Sequence, residues 1–253
     1  MATATTILLP GDQIPPESLP KPTNAKKPLT LGPGLRHIPP NTITATIAGA
    51  LATDNKKNAA WIEYNSGRYT PQPHDLIIAT VHASAAETFT CTLTPHTPPA
   101  LLPHLAFEGA TRKTRPILPP GSLVYARVSP SPSSTTSGYS LGAGGAPIEL
   151  TCVDPSTGKS DGLGPLKGGM VFPISLGMSR RLLAGKKGGV IVLEGLAKKV
   201  GFEVAVGRNG VLWVDGGNVK TTLLVGRAVQ EVDEKGMGEK EQLWVVERGL
   251  RGL

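Results

Sequence analysis

Glycine and proline interrupt this chain along its whole length, with 31 glycines and 24 prolines among 253 residues. Proline fixes φ and lacks an amide hydrogen, and glycine weakens helix interiors, so the pattern argues against a helical bundle. The combined glycine and proline content stays just below the level that is typical of chains disordered along their whole length. Since hydrophobic residues make up 39%, the sequence predicts one to three small β-rich domains joined by turns.

The first forty residues are dense in proline and predict an extended arm that builds neither a helix nor a central strand. After the arm, 42–51 alternates β-branched and small residues, and 60–64 is a second short strand beyond a polar turn. This pattern is typical of a β-hairpin. We therefore predict an N-terminal domain over 1–65, made of an arm and a hairpin. Because an isolated hairpin is only marginally stable in water, this hairpin must pack on another surface.

Short strands recur in the next segment, and we predict a five-stranded barrel of the oligonucleotide-binding (OB) type over 66–152. Four of its strands are predicted at 75–83, 87–93, 121–128 and 148–153, with one more short strand or turn and a loop within 98–121. Residues 129–147 have low complexity and are predicted to be a surface insertion.

The last hundred residues alternate strands and helices. Their predicted order is β-α-α-β-β-α, with Ser175 as the N-cap of the first helix and a Gly-x-x-Gly segment between the first two helices. This order is typical of a KH RNA-binding domain, here type I-like over 153–253. The fold class is therefore multi-domain, mainly β plus α+β, and the C-terminal residues predict a docked helix or extension.

Charge and composition favour a protein that binds a polyanion and disfavour membrane, metal-binding and catalytic functions. The formal charge is +7, and residues 153–230 hold 11 Lys and Arg against 5 Asp and Glu, which suits a polyanion. No apolar run is long enough for a membrane helix, and we read no secretory signal, so the chain is expected to be intracellular without a membrane partner. Cys91 and Cys152 are expected to be reduced thiols, and the scattered histidines predict no zinc site. No catalytic motif is evident, so we expect neither an enzyme nor a cofactor.

Three segments carry a family resemblance: LAFEGATRKTRP at 105–116, LPPGSLVYARV at 118–128 and FEVAVGRNGVLWV at 202–214, with LPGD at 9–12 in agreement. With them the chain resembles S1/KH cap subunits of the eukaryotic RNA exosome, of the ribosomal RNA-processing protein 40 type. In that family the OB barrel is an S1 domain. The resemblance implies a non-catalytic subunit on a ring of RNase PH-like subunits, beside other cap subunits. Such a subunit guides RNA into a central channel for rRNA processing and RNA degradation, in the nucleus, nucleolus and cytoplasm.

The cluster Arg112, Lys113 and Arg115 is the sharpest candidate for RNA contact. It follows small, flexible residues and precedes a proline, so it forms a loop that presents cations. Phosphate contacts need no fixed base geometry, and arginine can donate two hydrogen bonds to one phosphate. The alternatives are a solvated loop or a salt bridge to a neighbouring subunit.

The chain has two Gly-x-x-Gly segments, 185–188 and 207–210, and they are interpreted differently. Lys186 and Lys187 lie where a KH domain clamps nucleotides, although the segment also looks like a helix end followed by a polar turn. Gly207, Asn209 and Gly210 lie between two strands, where Asn-Gly is a strong hairpin signal, so a structural turn is expected there.

Few aromatic side chains are available to stack on bases, so RNA binding is expected to be electrostatic, for single strands, with little sequence specificity. The barrel candidates are Tyr69, Phe89, Tyr125, His82, His104 and Phe107, the last more suited to the core. Two rival hypotheses remain: a stand-alone S1/KH RNA-binding or ribosome-associated factor, and an enzyme that captures its substrate with the barrel.

Overall fold

The computed structural model describes residues 6–20, 28–55, 58–65, 68–130 and 148–251, with Lys186 and Lys187 described by their backbone alone. The predicted surface insertion at 129–147 therefore lies, apart from its first two residues, outside the described residues. The chain divides into two compact units, Met1–Ser66 and Gly67–Leu253.

In its described residues the first unit contains six short strands. They are β1 Ile7–Leu8, β2 Thr30–Leu31, β3 Leu35–Ile38, β4 Thr42–Ala45, β5 Gly49–Asp54 and β6 Ala59–Glu63. One sheet has the order β1-β5-β6-β2, and β3 pairs with β4 in a second. The proline-rich arm supplies β1 and β2, which lie at the edges of the first sheet, where few ladder hydrogen bonds are needed.

The hairpin prediction for this unit is partly wrong. Strands β5 and β6 do pair as an antiparallel hairpin. However, the predicted strand at 42–51 is two strands, because β4 pairs with β3 of the arm. The amide of Thr46 donates to the Gly34 carbonyl, which extends the β3–β4 pairing by one residue before the chain enters β5 in the other sheet.

The second unit begins with the predicted barrel. Its strands are β7 Leu76–Ser84, β8 Thr88–Thr92, β9 Ala100–Pro103, β10 Leu123–Val128, β11 Ile148–Thr151 and β12 Gly164–Leu166. The order β11-β9-β8-β7-β10 closes through pairing of β10 with β11, which confirms the five-stranded OB barrel. Alternate residues of β10 are buried in its core, as the period of two requires.

Strand β12 was not predicted. It pairs with the outer edge of β10 in the barrel sheet, although it lies within the stretch assigned to the KH domain at 153–253. The predicted domain boundaries themselves stay predictions.

The KH domain follows in the predicted order. Its elements are β13 Met170–Pro173, α1 Leu176–Leu183, α2 Val192–Ala197, β14 Glu203–Gly207, β15 Val211–Asp215, α3 Val219–Lys235 and α4 Glu239–Leu250. The sheet is antiparallel with the order β13-β15-β14. Ser175 caps α1 as predicted, since its Oγ accepts a hydrogen bond from Met178 N at 3.0 Å.

The C-terminal residues form the docked helix α4, and Val245 and Val246 join the KH core. Gln242 is almost fully buried there, and its side chain bonds the backbone of Gly189, Ile191 and Met237. In the described part of the chain, no helix is both long enough and apolar enough to cross a bilayer.

Candidate nucleic-acid interface

Arg112 and Lys113 occupy the two central positions of a tight turn in the loop between β9 and β10. The amide of Thr114 donates to the carbonyl of Thr111 at 3.1 Å, which closes the turn. The hydroxyl of Thr114 also accepts from the amide of Thr111, and that of Thr111 from the amide of Thr114. Both cations are exposed. The threonines therefore fix a backbone from which two positive side chains project into solvent.

The loop just before this cationic turn, Thr111–Thr114, is anchored through Glu108. Its carboxylate accepts a hydrogen bond from the amide of Ser160 at 2.7 Å, in a loop beyond β11. Hydrogen bonds from Ser160, together with the nearby charge of Lys159, hold the pKa of Glu108 below its usual 4.5. The carboxylate is thus ionised at neutral pH and ties the two loops together.

Arg115, at the other end, points back to the barrel. Its Nη1 donates to His104 Nδ1 at 2.7 Å and to the Ala86 carbonyl at 3.3 Å. The three cations predicted as one RNA-binding cluster therefore differ: two project from the turn, and the guanidinium of Arg115 is bonded within the domain.

The aromatic side chains considered as stacking platforms are mostly inside the protein. Tyr69, Phe89 and Phe107 belong to the barrel core, and His104 is only 4% exposed. Tyr125 is half-buried and donates its hydroxyl to the Val206 carbonyl. Of the six barrel candidates, only His82 is exposed. Flat stacking surfaces are therefore scarce on the described barrel.

Residues Gly185–Gly188 form a single 3₁₀ turn between α1 and α2, at the position of a KH nucleotide clamp. The side chains of Lys186 and Lys187 lie outside the described part of the structure, so their predicted RNA contact stays a prediction. Nearby, Arg181 lies 4.0 Å from Asp233 of α3, and its charge is partly compensated.

The second Gly-x-x-Gly turn connects β14 and β15 and packs into the barrel. The Asn209 side chain is 5% exposed, and its Nδ2 donates to the carbonyls of Ile78 at 2.9 Å and Leu93 at 2.8 Å. Its Oδ1 accepts from the amide of Ile78 at 3.3 Å. Gly210 has φ +80°, a conformation that glycine adopts without strain, and its amide donates to Gly207 O. This turn therefore joins the KH and S1 domains.

An ion pair extends the same joint. Arg208 Nε lies 3.2 Å from Asp75 Oδ1, and the amide of Arg208 donates to Leu76 O. Asp75 Oδ2 also accepts from the Tyr69 hydroxyl at 2.9 Å and from Gln72 N. Burial and the Asp75 carboxylate raise the pKa of Tyr69, so the phenol stays protonated and donates. The side chain of Arg208 is therefore engaged with the barrel.

Sequence reasoning missed two features of this surface. It considered His104 only as a stacking platform, because nothing local marks it as the partner of Arg115. It also gave Asp75 no role, since its partner Arg208 lies in another domain. No three His, Cys, Asp or Glu side chains are grouped to hold a metal ion in the ranges that the structure describes.

Comparison with known families and proteins agrees with this architecture. Residues 69–164 match the family described as exosome complex component RRP40, S1 domain. Residues 29–68 match the exosome complex exonuclease Rrp40 N-terminal domain, and 169–220 match a KH domain.

Proteins named exosome complex component RRP40 are similar along most of their length. The Drosophila melanogaster protein is 34% identical over 96% of each chain. The Saccharomyces cerevisiae protein is 33% identical over 91% of this chain and 90% of its own. A solved structure described as a candidate exosome complex RNA-binding protein shares the fold, with a TM-score of 0.54 at 21% identity over 72% of this chain and 97% of that chain.

Proposed function

The chain belongs to the RRP40 family of exosome complex components, and on this premise we propose that it is a non-catalytic, RNA-binding cap subunit. In this role it assists assembly of a 3′–5′ exoribonuclease complex and guides single-stranded RNA into its central channel. Hydrolysis then takes place in a separate nuclease subunit. The processes served are rRNA processing and RNA degradation.

The observation that carries the proposal is the cationic turn Thr111–Thr114. Arg112 and Lys113 are exposed at its centre, on a backbone that side-chain hydrogen bonds hold in place. Phosphates are bound by such cations in any sequence context, because the contact involves no base edge. A subunit that passes RNAs of arbitrary sequence needs this kind of contact.

The proposed partners are RNase PH-like ring subunits and other cap subunits, with the N-terminal unit docking on them. The proposed locations are the nucleus, the nucleolus and the cytoplasm. Co-purification from nuclear and cytoplasmic fractions tests both statements, since each fraction should contain the chain together with ring subunits.

The decisive test of RNA contact is charge reversal in the reconstituted exosome. The double variant Arg112→Glu, Lys113→Glu should protect less of a single-stranded RNA from an added nuclease than the wild-type complex does. The matched control is Lys220→Glu, Arg227→Glu, which reverses the same two charges at exposed positions of α3. If both double variants and the wild type protected the RNA equally, the cationic turn would not contact the RNA.

The two rival functions are tested separately. A stand-alone RNA-binding factor would run as a monomer in native extract, whereas a cap subunit runs at the mass of a multi-subunit complex. An enzyme would shorten end-labelled RNA as the purified chain with Mg²⁺. We expect no shortening by the chain alone, with the complete exosome as the positive control.

A further inference from the structure

His104 follows β9 directly, and three side chains contact its ring. Its Nδ1 accepts from Arg115 Nη1 at 2.7 Å, and its Nε2 lies 3.4 Å from Ser84 Oγ. Its ring packs on Phe89 with 4.2 Å between centroids and 53° between planes. Few orientations are open to an imidazole held in this way.

These contacts define the protonation state of the ring. A guanidinium only donates hydrogen bonds, so the nitrogen that faces Arg115 must be an unprotonated acceptor. The single hydrogen of a neutral imidazole then lies on Nε2, directed towards Ser84 Oγ. The observed geometry therefore requires the neutral Nε2–H tautomer of His104.

The contact matters because of where Arg115 lies in the chain. Arg115 follows Thr114, the last residue of the cationic turn, and so anchors the chain just after the turn, while the bond from Ser160 to Glu108 anchors it just before the turn. Holding both ends reduces the conformational entropy that Arg112 and Lys113 would lose on binding a phosphate chain.

We propose that His104 is a positioning residue for RNA contact: its neutral imidazole holds Arg115 and thereby presents Arg112 and Lys113 to the phosphates of a passing RNA. This inference rests on the proposed function of the cationic turn. It assigns to His104 a role that is neither stacking on a base nor donating to RNA.

A pH dependence follows from the same contacts. Two charged groups face the ring, Arg115 from the loop and Glu87 from the turn between β7 and β8. Burial and the Arg115 charge lower the pKa of His104 from its usual 6.5, although Glu87 opposes them. Protonation would place an Nδ1–H against the guanidinium, so acidification releases Arg115 and loosens the loop.

The experiment compares substitutions at His104 in the reconstituted exosome, with a fluorescein-labelled oligouridylate as the probe. His104→Phe keeps the ring on Phe89 but removes the acceptor, and we expect RNA affinity about three- to tenfold weaker. His104→Asn places an amide oxygen near the position of Nδ1 and should stay within about twofold of wild type. His96→Phe, at an exposed histidine, is the matched control and should have no effect.

The pH profile provides a readout that a purely structural role would not move. Wild-type affinity should fall below pH 6.5 relative to His104→Asn, whose amide does not titrate. This opposes the general trend, because a protein that gains positive charge on acidification otherwise binds RNA more tightly. Parallel profiles for the two proteins would overturn the proposal.

Failure of this inference is distinguishable from failure of the proposed function. If Arg112→Glu, Lys113→Glu weakens binding while His104→Phe matches wild type, only the positioning role is wrong. If the double variant has no effect, the proposed RNA contact fails first. Should His104→Phe unfold, Arg115→Met replaces it: this variant should lose affinity and lack the wild-type pH dependence, and an unchanged pH profile would refute the role of His104.

Discussion

At the scale of single residues, Asn209 shows how a short turn can join two domains. Its amide satisfies the carbonyls of Ile78 and Leu93, and its oxygen satisfies the amide of Ile78, all within a buried joint. An amide supplies both donors and the acceptor in one plane, which a carboxylate or a hydroxyl cannot do. Asparagine is therefore favoured at this position for two reasons: it is compatible with the turn, and its side chain makes the three hydrogen bonds to the barrel.

Replacing Asn209 should destabilise the chain strongly. Asn209→Ala leaves the buried groups of Ile78 and Leu93 without partners, at a cost of about 2–3 kcal/mol of unfolding free energy. Asn209→Asp should cost more, because a buried carboxylate would face two carbonyl oxygens. Urea unfolding of the full chain measures both.

The comparison variant is Asn218→Ala, at the exposed N-cap of α3, where the loss should be about 1 kcal/mol. If Asn209→Ala cost no more than Asn218→Ala, the hydrogen bonds across the joint would contribute little to stability.

At the scale of elements, the strands and helices with a clear period were predictable from sequence. Strand β15, Val211–Asp215, was predictable because four apolar residues follow directly after an Asn-Gly turn. Strand β12 was not, since Gly-Pro-Leu has no periodic pattern and pairs only because the edge of β10 is available. A local sequence pattern can predict that a strand or helix forms, whereas the strand with which it pairs depends on the rest of the fold.

In the candidate site, too, the local features were predictable and the long-range contacts were not. Arg112 and Lys113 could be identified from a local cluster of cations. The anchoring of Arg115 could not, because it depends on His104 and on the Ala86 carbonyl, which are distant in sequence and meet only in the closed barrel.

The turn between α1 and α2 should tolerate no side chain at Gly188. A Cβ there would clash with the carbonyl oxygen of Arg181, which is backbone and cannot rotate away. Gly188→Ala should therefore cost about 1–3 kcal/mol in urea unfolding. Gly201→Ala is the control, because its Cβ would meet nothing within 4 Å and the change should be close to neutral. Equal stability of the two variants would show that the turn rearranges freely.

Helices α3 and α4 are connected by Glu231, and this contact should depend on pH. The pKa of Glu231 lies below its usual 4.5 because Lys235 and Arg248 both donate hydrogen bonds to the carboxylate. A lowered folded-state pKa means that the stabilisation is complete above about 4.5 and is lost as the pH falls below it. Glu231→Gln should thus cost about 1 kcal/mol or less at neutral pH and nothing in acid.

Urea unfolding at several pH values tests this dependence, with Glu234→Gln at an exposed position of the same helix as the control. A cost of Glu231→Gln that stays constant down to acid pH would mean that packing, and not the ion pairs, accounts for it.

At the scale of the whole molecule, the described residues place cations on the surface and most aromatic rings of the barrel in its core. Phe89, Phe107 and Tyr69 stabilise the barrel core, which removes them as platforms for bases. Trp244 on α4 is 56% exposed, but Arg248 already lies over its ring at 4.6 Å. Base stacking contributes about 1–3 kcal/mol for each base where it occurs, so its scarcity leaves phosphate contacts dominant.

The full chain should therefore bind single-stranded RNA with steep salt dependence and little preference for sequence. Oligouridylate and oligoadenylate of equal length should differ by less than about threefold in affinity, as fluorescence anisotropy would measure. Arg112→Gln, Lys113→Gln should reduce the slope of log affinity against log salt by about 1.4, since each lost phosphate contact on a single strand contributes about 0.7. Lys220→Gln, Arg227→Gln should leave the slope unchanged. A preference above about tenfold for one base would mean that the protein also binds base edges or faces. A slope that the first double variant does not alter would mean that the phosphates are bound on a surface other than the cationic turn.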